Sequence, residues 1–399
     1  MNIKQLYGKI SLYLHAAIVL AASYLIVSCF ILSTKSLSFF SVLDESGDVP
    51  MSDMYLYISS KRGPAKLDTT ITLVSIDFCK DRLEIARLIE QIDSLHPKVI
   101  GLDVFFQNWK EPKTDTILEN VIRKCKNIAV ACRLDTAQLE DNDIYNVCIH
   151  NFFVNKKNDY NFIEGFINLD SDGSSPVQTF TPKLFLQKEN ALDTLYSFAL
   201  QTVRLYNEAY FQKLLQRKGN LELINFQPLH FSKISKDEVA DCEEDITNKI
   251  VLIGSLSEDV HKTPINLQMH GMEIHAHTIS TIIEEKYIDR LDNSGTKLMN
   301  MLFCYLFALF CWFATTRLKK GTSILIKLAQ VTILFLAFLL GYYLFSHFNV
   351  DIVYTRTIIV TGIIVLIVDV YHVGIAFGYE FISQYIRKRK KVNQDEKDS

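Results

Sequence analysis

A chain of 399 residues has room for one large domain plus membrane spans, or for two ordinary domains. With 49% apolar and 22% charged residues it is neither a disordered chain nor a channel-like protein buried wholly in lipid. A formal net charge of −3 argues against a nucleic-acid partner, because a surface that tracks phosphates needs a basic excess.

Four apolar runs approach or exceed the ~20 residues that a helix needs to cross a bilayer. The first, Leu12 to Leu32, is longer than a signal-peptide core and has no clean small-residue cleavage site after it, so it reads as an uncleaved anchor. The others cover residues 297–316, 323–345 and 357–379. Lys4 and Lys9 precede the first span. Arg317, Lys319 and Lys320 separate the second from the third, and "RKRKK", Arg387 to Lys391, follows the fourth. The loop "SHFNVD" between spans three and four has no basic residue. All the basic segments share one side if both termini are cytoplasmic, as the positive-inside rule requires. Residues 33–296 then lie outside the membrane, and residues 380–399 form a basic cytoplasmic tail.

Within the outside region, a lead-in from Ser33 to Asp68 has weak periodicity. "TITLVSID", Thr70 to Asp77, is a β-branched run that predicts a buried strand. Leu83, Ala86, Leu88, Ile89 and Ile92 follow at helical spacing, and after Pro97 the run "KVIGLDVFF" predicts a second strand. Strand, helix and strand with short links make a βαβ unit and a parallel pair. The alternation continues with a helix over Asp115–Lys126 and a strand over Asn127–Leu134. Then come "GFINLD" from Gly165 to Asp170, a helix over Leu192–Tyr206, the strand "LELINF", the strand "KIVLIGS" from Lys249 to Ser255, and a helix over Gly271–Glu285. Residues 135–160 fit no element. The pattern predicts an α/β extracytoplasmic domain with a mostly parallel sheet, plus four transmembrane α-helices.

The segments "VSID", "PKVIGLDVFF", "NIAVACRL", "GFINLDSDGSSPVQ", "INFQP", "ITNKIVLIGS" and "GMEIHAHTI" occur in that order over a core of about residues 71–287. In order and spacing they resemble the second type of CHASE domain, the cyclase/histidine-kinase-associated sensory extracellular domain of bacteria. Three transmembrane helices directly after the domain match that family's usual arrangement. The resemblance implies a bacterial inner-membrane protein that senses a periplasmic signal and passes it to a cytoplasmic module. Two features depart from the family pattern. Only a short basic tail follows the fourth span, which leads us to expect no catalytic output domain and no enzymatic activity. The Trp/Pro/Arg-containing loop that members often carry after the first strand's aspartate is replaced by "FCKDR".

Asp77 and Asp103 are expected to end neighbouring parallel strands, where ligands of open α/β sheets bind. Each aspartate also fits as a cap on the turn or helix that follows its strand. Gly254 and Ser255 close a further strand, where small residues permit close approach of a ligand or form a tight turn. In "MHGMEIHAH", Glu273 and His277 share a helical face at zinc-binding spacing, while His275 points elsewhere. Helix-start chemistry accounts better for Glu273. The ligand-binding set is therefore Asp77, Asp103, Gly254, Ser255, Glu273 and His275, with no resident metal or cofactor.

Five cysteines lie outside the membrane, namely Cys79, Cys125, Cys132, Cys148 and Cys242, and an odd count leaves at least one unpaired within the chain. The sequence gives no pairing. Inside the spans, His15, Lys327, Asp369 and His372 are costly in lipid. Asp369 needs a partner, with Lys327 or His372 as candidates, and such pairing would couple spans three and four. The basic tail suits anionic lipid, a docking partner or simple anchoring.

The function expected is a membrane-anchored sensor or scaffold. It would bind a ligand or protein and relay through its spans to a separate signalling or envelope partner, alone or as a homodimer. A metal-dependent ectoenzyme, a hydrolase using Asp77 and Asp103, is the alternative.

Overall fold

The computed structural model describes residues 12–34, 51–61, 63–138, 144–154, 161–170, 176–188, 191–291, 294–317 and 322–395. Residues 35–50 of the lead-in and the basic residues Lys4, Lys9, Lys319 and Lys320 lie outside them, as do the side chains of Arg317 and of Arg387 to Lys391. The chain divides into two compact units, residues 52–288 and residues 1–51 with 289–399.

The first unit is an α/β domain. Its elements are α2 (Met51–Ser60), β1 (Lys66–Ser75), α3 (Arg82–Ser94), β2 (Val99–Asp103), α4 (Pro112–Lys124), β3 (Ile128–Gln138), β4 (Ile144–Ile149), β5 (Phe162–Phe166), α5 (Phe198–Tyr206), α6 (Glu208–Leu215), β6 (Leu229–Ser235), β7 (Ile250–Gly254) and α7 (Gly271–Ile283). The label α1 is kept for the helix Leu12–Thr34 of the other unit. The sheet runs β6-β1-β7-β2-β3-β4, with β5 also paired to β3. Every pair is parallel except β3 with β4.

The sequence pattern makes β1 and β2 a side-by-side pair, and the structure corrects this. β7, the last strand of this sheet in chain order, inserts between them, so that Ser75, Gly254 and Asp103 stand in register across three strands. A βαβ unit requires only that both strands share one sheet. Nothing local forbids a later strand from filling the space between them, and β7 is apolar on both sides and buried at every position.

One face of the sheet presents Val74, Ile100, Leu102, Val130 and Ile253 to Ile85, Leu88, Ile89 and Ile92 of α3 and to Leu118, Val121 and Ile122 of α4. The opposite face carries α5 and α7. The spacing of those apolar residues is helical because the two helices bury one stripe each. Asp81 caps α3, its side chain accepting from Glu84 N at 2.9 Å, and Pro112 opens α4.

Three sequence expectations shift in detail. The helix expected from Leu192 starts at Phe198, because residues 191–196 form a hairpin strand with residues 183–188. "LELINF" keeps only Glu222 and Leu223 as strand, paired with residues 179–180. Within the unassigned stretch, β4 pairs antiparallel with the far half of β3.

The second unit holds α1, α8 (Ser294–Arg317), α9 (Thr322–Phe348) and α10 (Thr355–Asp395). Their apolar windows, Leu12–Phe30, Ser294–Thr316, Ile326–Phe348 and Arg356–Gly378, are each long enough to cross a bilayer. α1, α8 and α10 pack together, and α9 lies against α10 and α8. Successive helices alternate in direction. The start of α1 meets the end of α8 and the middle of α10, where His15 stacks on Trp312 at 4.6 Å and its Nδ1 lies 3.1 Å from the Tyr371 hydroxyl. The loop containing "NVD" is not featureless, since residues 350–352 pair in parallel with residues 289–291. The fourth helix continues through the basic tail for 41 residues, about 60 Å, twice the hydrocarbon thickness.

Candidate functional site at the carboxyl edge of the sheet

The parallel strands point their carboxyl ends at one edge, where the loops after β1, β2 and β7 converge. Six sequence-nominated residues divide there into three groups.

Asp77 and Ser255 form a clamp. The Asp77 carboxylate accepts from Ser75 Oγ at 2.7 Å, from Ser255 Oγ at 2.6 Å and from Leu256 N at 3.0 Å. Burial works to raise its pKa, but the donors at Ser255, Ser75 and Leu256 outweigh it and hold the carboxyl below its usual range. Ser255 Oγ in turn accepts from Glu258 N at 3.0 Å. Both residues are spent on loop structure. Gly254 belongs with them, because a Cβ there would sit 3.1 Å from Met272 Sδ and 3.2 Å from the Asp103 carbonyl oxygen, so glycine is what lets β7 end against β2 and α7.

Asp103 behaves differently. No hydrogen bond or ion pair reaches its carboxylate among the described residues. Burial, aided by the negative charge of Asp259, pushes its pKa up to about 7. Asp259 follows β7, sits in the left-handed region at φ 56°, and accepts from Gly271 N at 2.9 Å at the start of α7. Its Oδ1 lies 2.8 Å from His261 Nε2. His275 is buried edge-on to Phe198 at 5.3 Å, and burial lowers its pKa to about 4 despite the nearby Asp259. Asp103, Asp259, His261 and His275 thus form an electrostatic cluster. Asp259 and His261 were missed in the sequence; their place just past a strand's carboxyl end was the available signal.

Glu273 serves helix-start chemistry. Its carboxylate accepts from His270 N at 3.2 Å and pairs with Lys233 at 2.5 Å. Burial would raise its pKa, but Lys233 and the His270 amide hold it low. His277, one turn on, is buried between Phe226 and Phe231, and burial lowers its pKa to about 4. No group of three His, Cys, Asp or Glu side chains among the described residues is placed to hold a metal ion. Of the two aspartates of the hydrolase reading, Asp103 ends β2 but Asp77 lies in the turn two residues past the end of β1, and β7 runs between those two strands.

Beside this edge a cleft of about 530 Å³ opens between the first turns of α3 and α4. Its wall includes Arg82, Phe105, Phe106, Asn108, Lys110 and Thr114. Arg82 is fixed there: its guanidinium pairs with the fully buried Asp115 at 2.7 Å and lies over Phe152 at 4.9 Å. Asp115 also accepts from Lys110 N and Glu111 N at 2.6 and 3.0 Å. A second cavity of about 480 Å³ is lined by Lys233, Glu273 and His277 among others.

In the membrane-type unit, the expected partnership of Lys327 with Asp369 is not formed: Lys327 is exposed and no ion pair joins it to Asp369 among the described residues. His372 lies 6.1 Å from Trp312 in an edge-on ring contact. The link between α9 and α10 is instead Gln330, whose Nε2 donates to Thr361 O at 2.9 Å and Gly362 O at 2.7 Å.

A family model described as the CHASE2 domain matches residues 32–316. Neither a curated relative nor a solved structure matches the chain.

Proposed function

The chain belongs to the CHASE2 family, a family of sensory extracellular domains, and on that premise we propose that residues 52–288 bind a small polar solute outside the membrane. The observation that carries this reading is the cleft between α3 and α4, placed beyond the carboxyl ends of β1 and β2. Its rim mixes Lys80, Asp81, Arg82, Lys110 and Glu111 with two phenylalanines, which suits a solute bearing both charges and an apolar part.

The positive-inside distribution supports cytoplasmic termini, and the alternating directions of α1, α8, α9 and α10 are compatible with it. Binding would shift the population between two arrangements of the spans, which takes a differential affinity of several kcal/mol for a complete switch. A separate signalling or envelope protein would read that change.

The test is a solute screen by thermal shift on the full-length protein in nanodiscs, repeated with Thr114→Trp to fill the cleft. Binding abolished by Thr114→Trp and unaffected by Lys233→Ala supports the reading. Binding that follows Lys233→Ala instead moves the site to the second cavity and overturns it.

A further inference from the structure

Cys132 sits where β3 changes partners. It is the last residue of β3 in register with β5, opposite Phe166, and the next residue, Arg133, opens the antiparallel ladder with β4 opposite Ile149. Cys148 stands opposite Leu134 in that ladder. Side chains two apart on a strand share a face, so Cys132 and Cys148 are diagonal neighbours on one side of the hairpin. Each thiol is the largest influence on the ionisation of the other.

The two sulfurs are unequal. Cys132 is fully buried, whereas Cys148 is half-buried. Cys148 Sγ lies 3.7 Å from His150 Nδ1, and the same nitrogen lies 2.5 Å from Glu164 Oε2. The other Glu164 oxygen accepts from Asn151 Nδ2 at 3.1 Å. Contact with Cys148, and then with Glu164, raises the His150 pKa to about 10, so the imidazolium persists at neutral pH. The Cys132 thiol and that imidazolium lower the pKa of Cys148, while Cys132, facing Cys148 and buried, is raised. One half-buried thiolate backed by one buried thiol is the division of labour of an attacking and a resolving cysteine. The set is not a metal site by placement, since no such grouping converges among the described residues.

We propose that Cys132 and Cys148 are a redox-active pair that undergoes thiol–disulfide exchange with a disulfide-bearing partner. The Cys148 thiolate attacks one sulfur of the incoming disulfide, forming a mixed disulfide and expelling the other sulfur as a thiolate, which takes up the proton that Cys148 lost. Cys132 then gives up its proton and attacks Cys148 Sγ, closing the internal disulfide and releasing the second partner sulfur as a thiol. The chain loses two electrons and two protons, and the partner's disulfide gains both. In a flat ladder diagonal Cα atoms stand about 7–8 Å apart. A disulfide wants about 4.4–6.8 Å, so closure must draw β4 toward β3 and the bond formed is an easily reduced one. That movement reaches the cleft through Asn151, which donates to Ala131 O at 2.7 Å and accepts from Phe106 N at 2.8 Å.

The experiment uses purified full-length protein in detergent, equilibrated across ratios of reduced to oxidised glutathione, then alkylated and mapped by peptide mass spectrometry. The expected result is a Cys132–Cys148 crosslinked peptide that appears with oxidised glutathione and disappears on reversal of the ratio. In Cys132→Ser the glutathione adduct should remain trapped on Cys148. In the reduced wild type, Cys148 should be alkylated roughly tenfold faster than Cys242 at pH 7, an advantage lost in His150→Ala. A glutathione adduct without the crosslink in wild type, pairing of Cys132 with any other cysteine, or protection of both thiols by added Zn²⁺ would each overturn the proposal. Because the wild type alone gives the decisive peptide, a variant that fails to fold does not blunt the test.

Discussion

Ser255 donates its hydroxyl to the Asp77 carboxylate at 2.6 Å across 178 residues of chain. The bond fastens the exit of β1 to the loop after β7, and with Ser75 and Leu256 it occupies the carboxylate from three sides. A charged acceptor with several donors is among the stronger hydrogen-bond arrangements.

Asp77→Asn should therefore destabilise the α/β unit by about 1–3 kcal/mol, since the amide presents a donor where Ser or backbone donors already point. Asp77 has a lowered pKa in the folded state, so its contribution is complete above the unfolded value of about 3.9 and fades as pH falls through the folded one. Denaturant unfolding of wild type and variant should differ by a constant amount from pH 5 to 8, and the difference should shrink below pH 4.

Asp103 has the opposite sign. Its folded pKa of about 7 lies above the unfolded value, so the folded state binds the extra proton and stability falls as pH rises from about 4 to 7. Asp103→Asn removes that slope. The variant should match wild type at pH 4 and exceed it at pH 8 by on the order of 2 kcal/mol, partial exposure reducing the full linkage value. Asp259→Asn should lower the Asp103 midpoint, readable by carboxyl infrared titration.

Gly165 on β5 faces the start of α5, where a Cβ would lie 2.6 Å from Phe198 Cα and 2.7 Å from Phe198 N. Backbone cannot yield as a side chain can. Gly165→Ala should cost about 3 kcal/mol and lower the melting temperature by several degrees. Thermal melts should show a smaller loss for Gly254→Ala, where one of the crowding atoms is the flexible Met272 Sδ.

Gln330→Leu should loosen α9 from α10 without unfolding the other helices. Interhelical hydrogen bonds in membranes contribute about 0.5–1.7 kcal/mol, so the effect is modest. Trp312→Ala empties a fully buried site stacked on His15 and should cost more, about 3 kcal/mol. Progressive denaturation in sodium dodecyl sulfate micelles, followed by helix content, ranks the two.

The α/β class, the mostly parallel sheet and the four long apolar helices were legible because each rests on local periodicity: β-branched runs for β1, β2 and β7, a 3.6-residue stripe for α3, and uninterrupted hydropathy for α1, α8, α9 and α10. Order within the sheet was not legible, because pairing is decided by which apolar strand fills a gap after the chain has travelled some 150 residues from β2 to β7. The same limit applied to sites. Asp77 and Asp103 look alike in sequence, each ending an apolar run, yet three donors meet the first and only another carboxylate faces the second. Arg82 and Gln330 carried no local mark, and the pairing of Cys132 with Cys148 depended on a strand register that residues 135–160 did not disclose.

By itself the sequence determined the number of helices long and apolar enough to cross a membrane and the class of the domain between the first two, since hydropathy acts residue by residue. Only the tertiary structure decided that β7 separates the two aspartates, that one carboxylate is satisfied while the other holds a proton near neutrality, and that two cysteines share a face. Those are properties of groups brought together through space, and their energies depend on the partners and the burial that folding supplies.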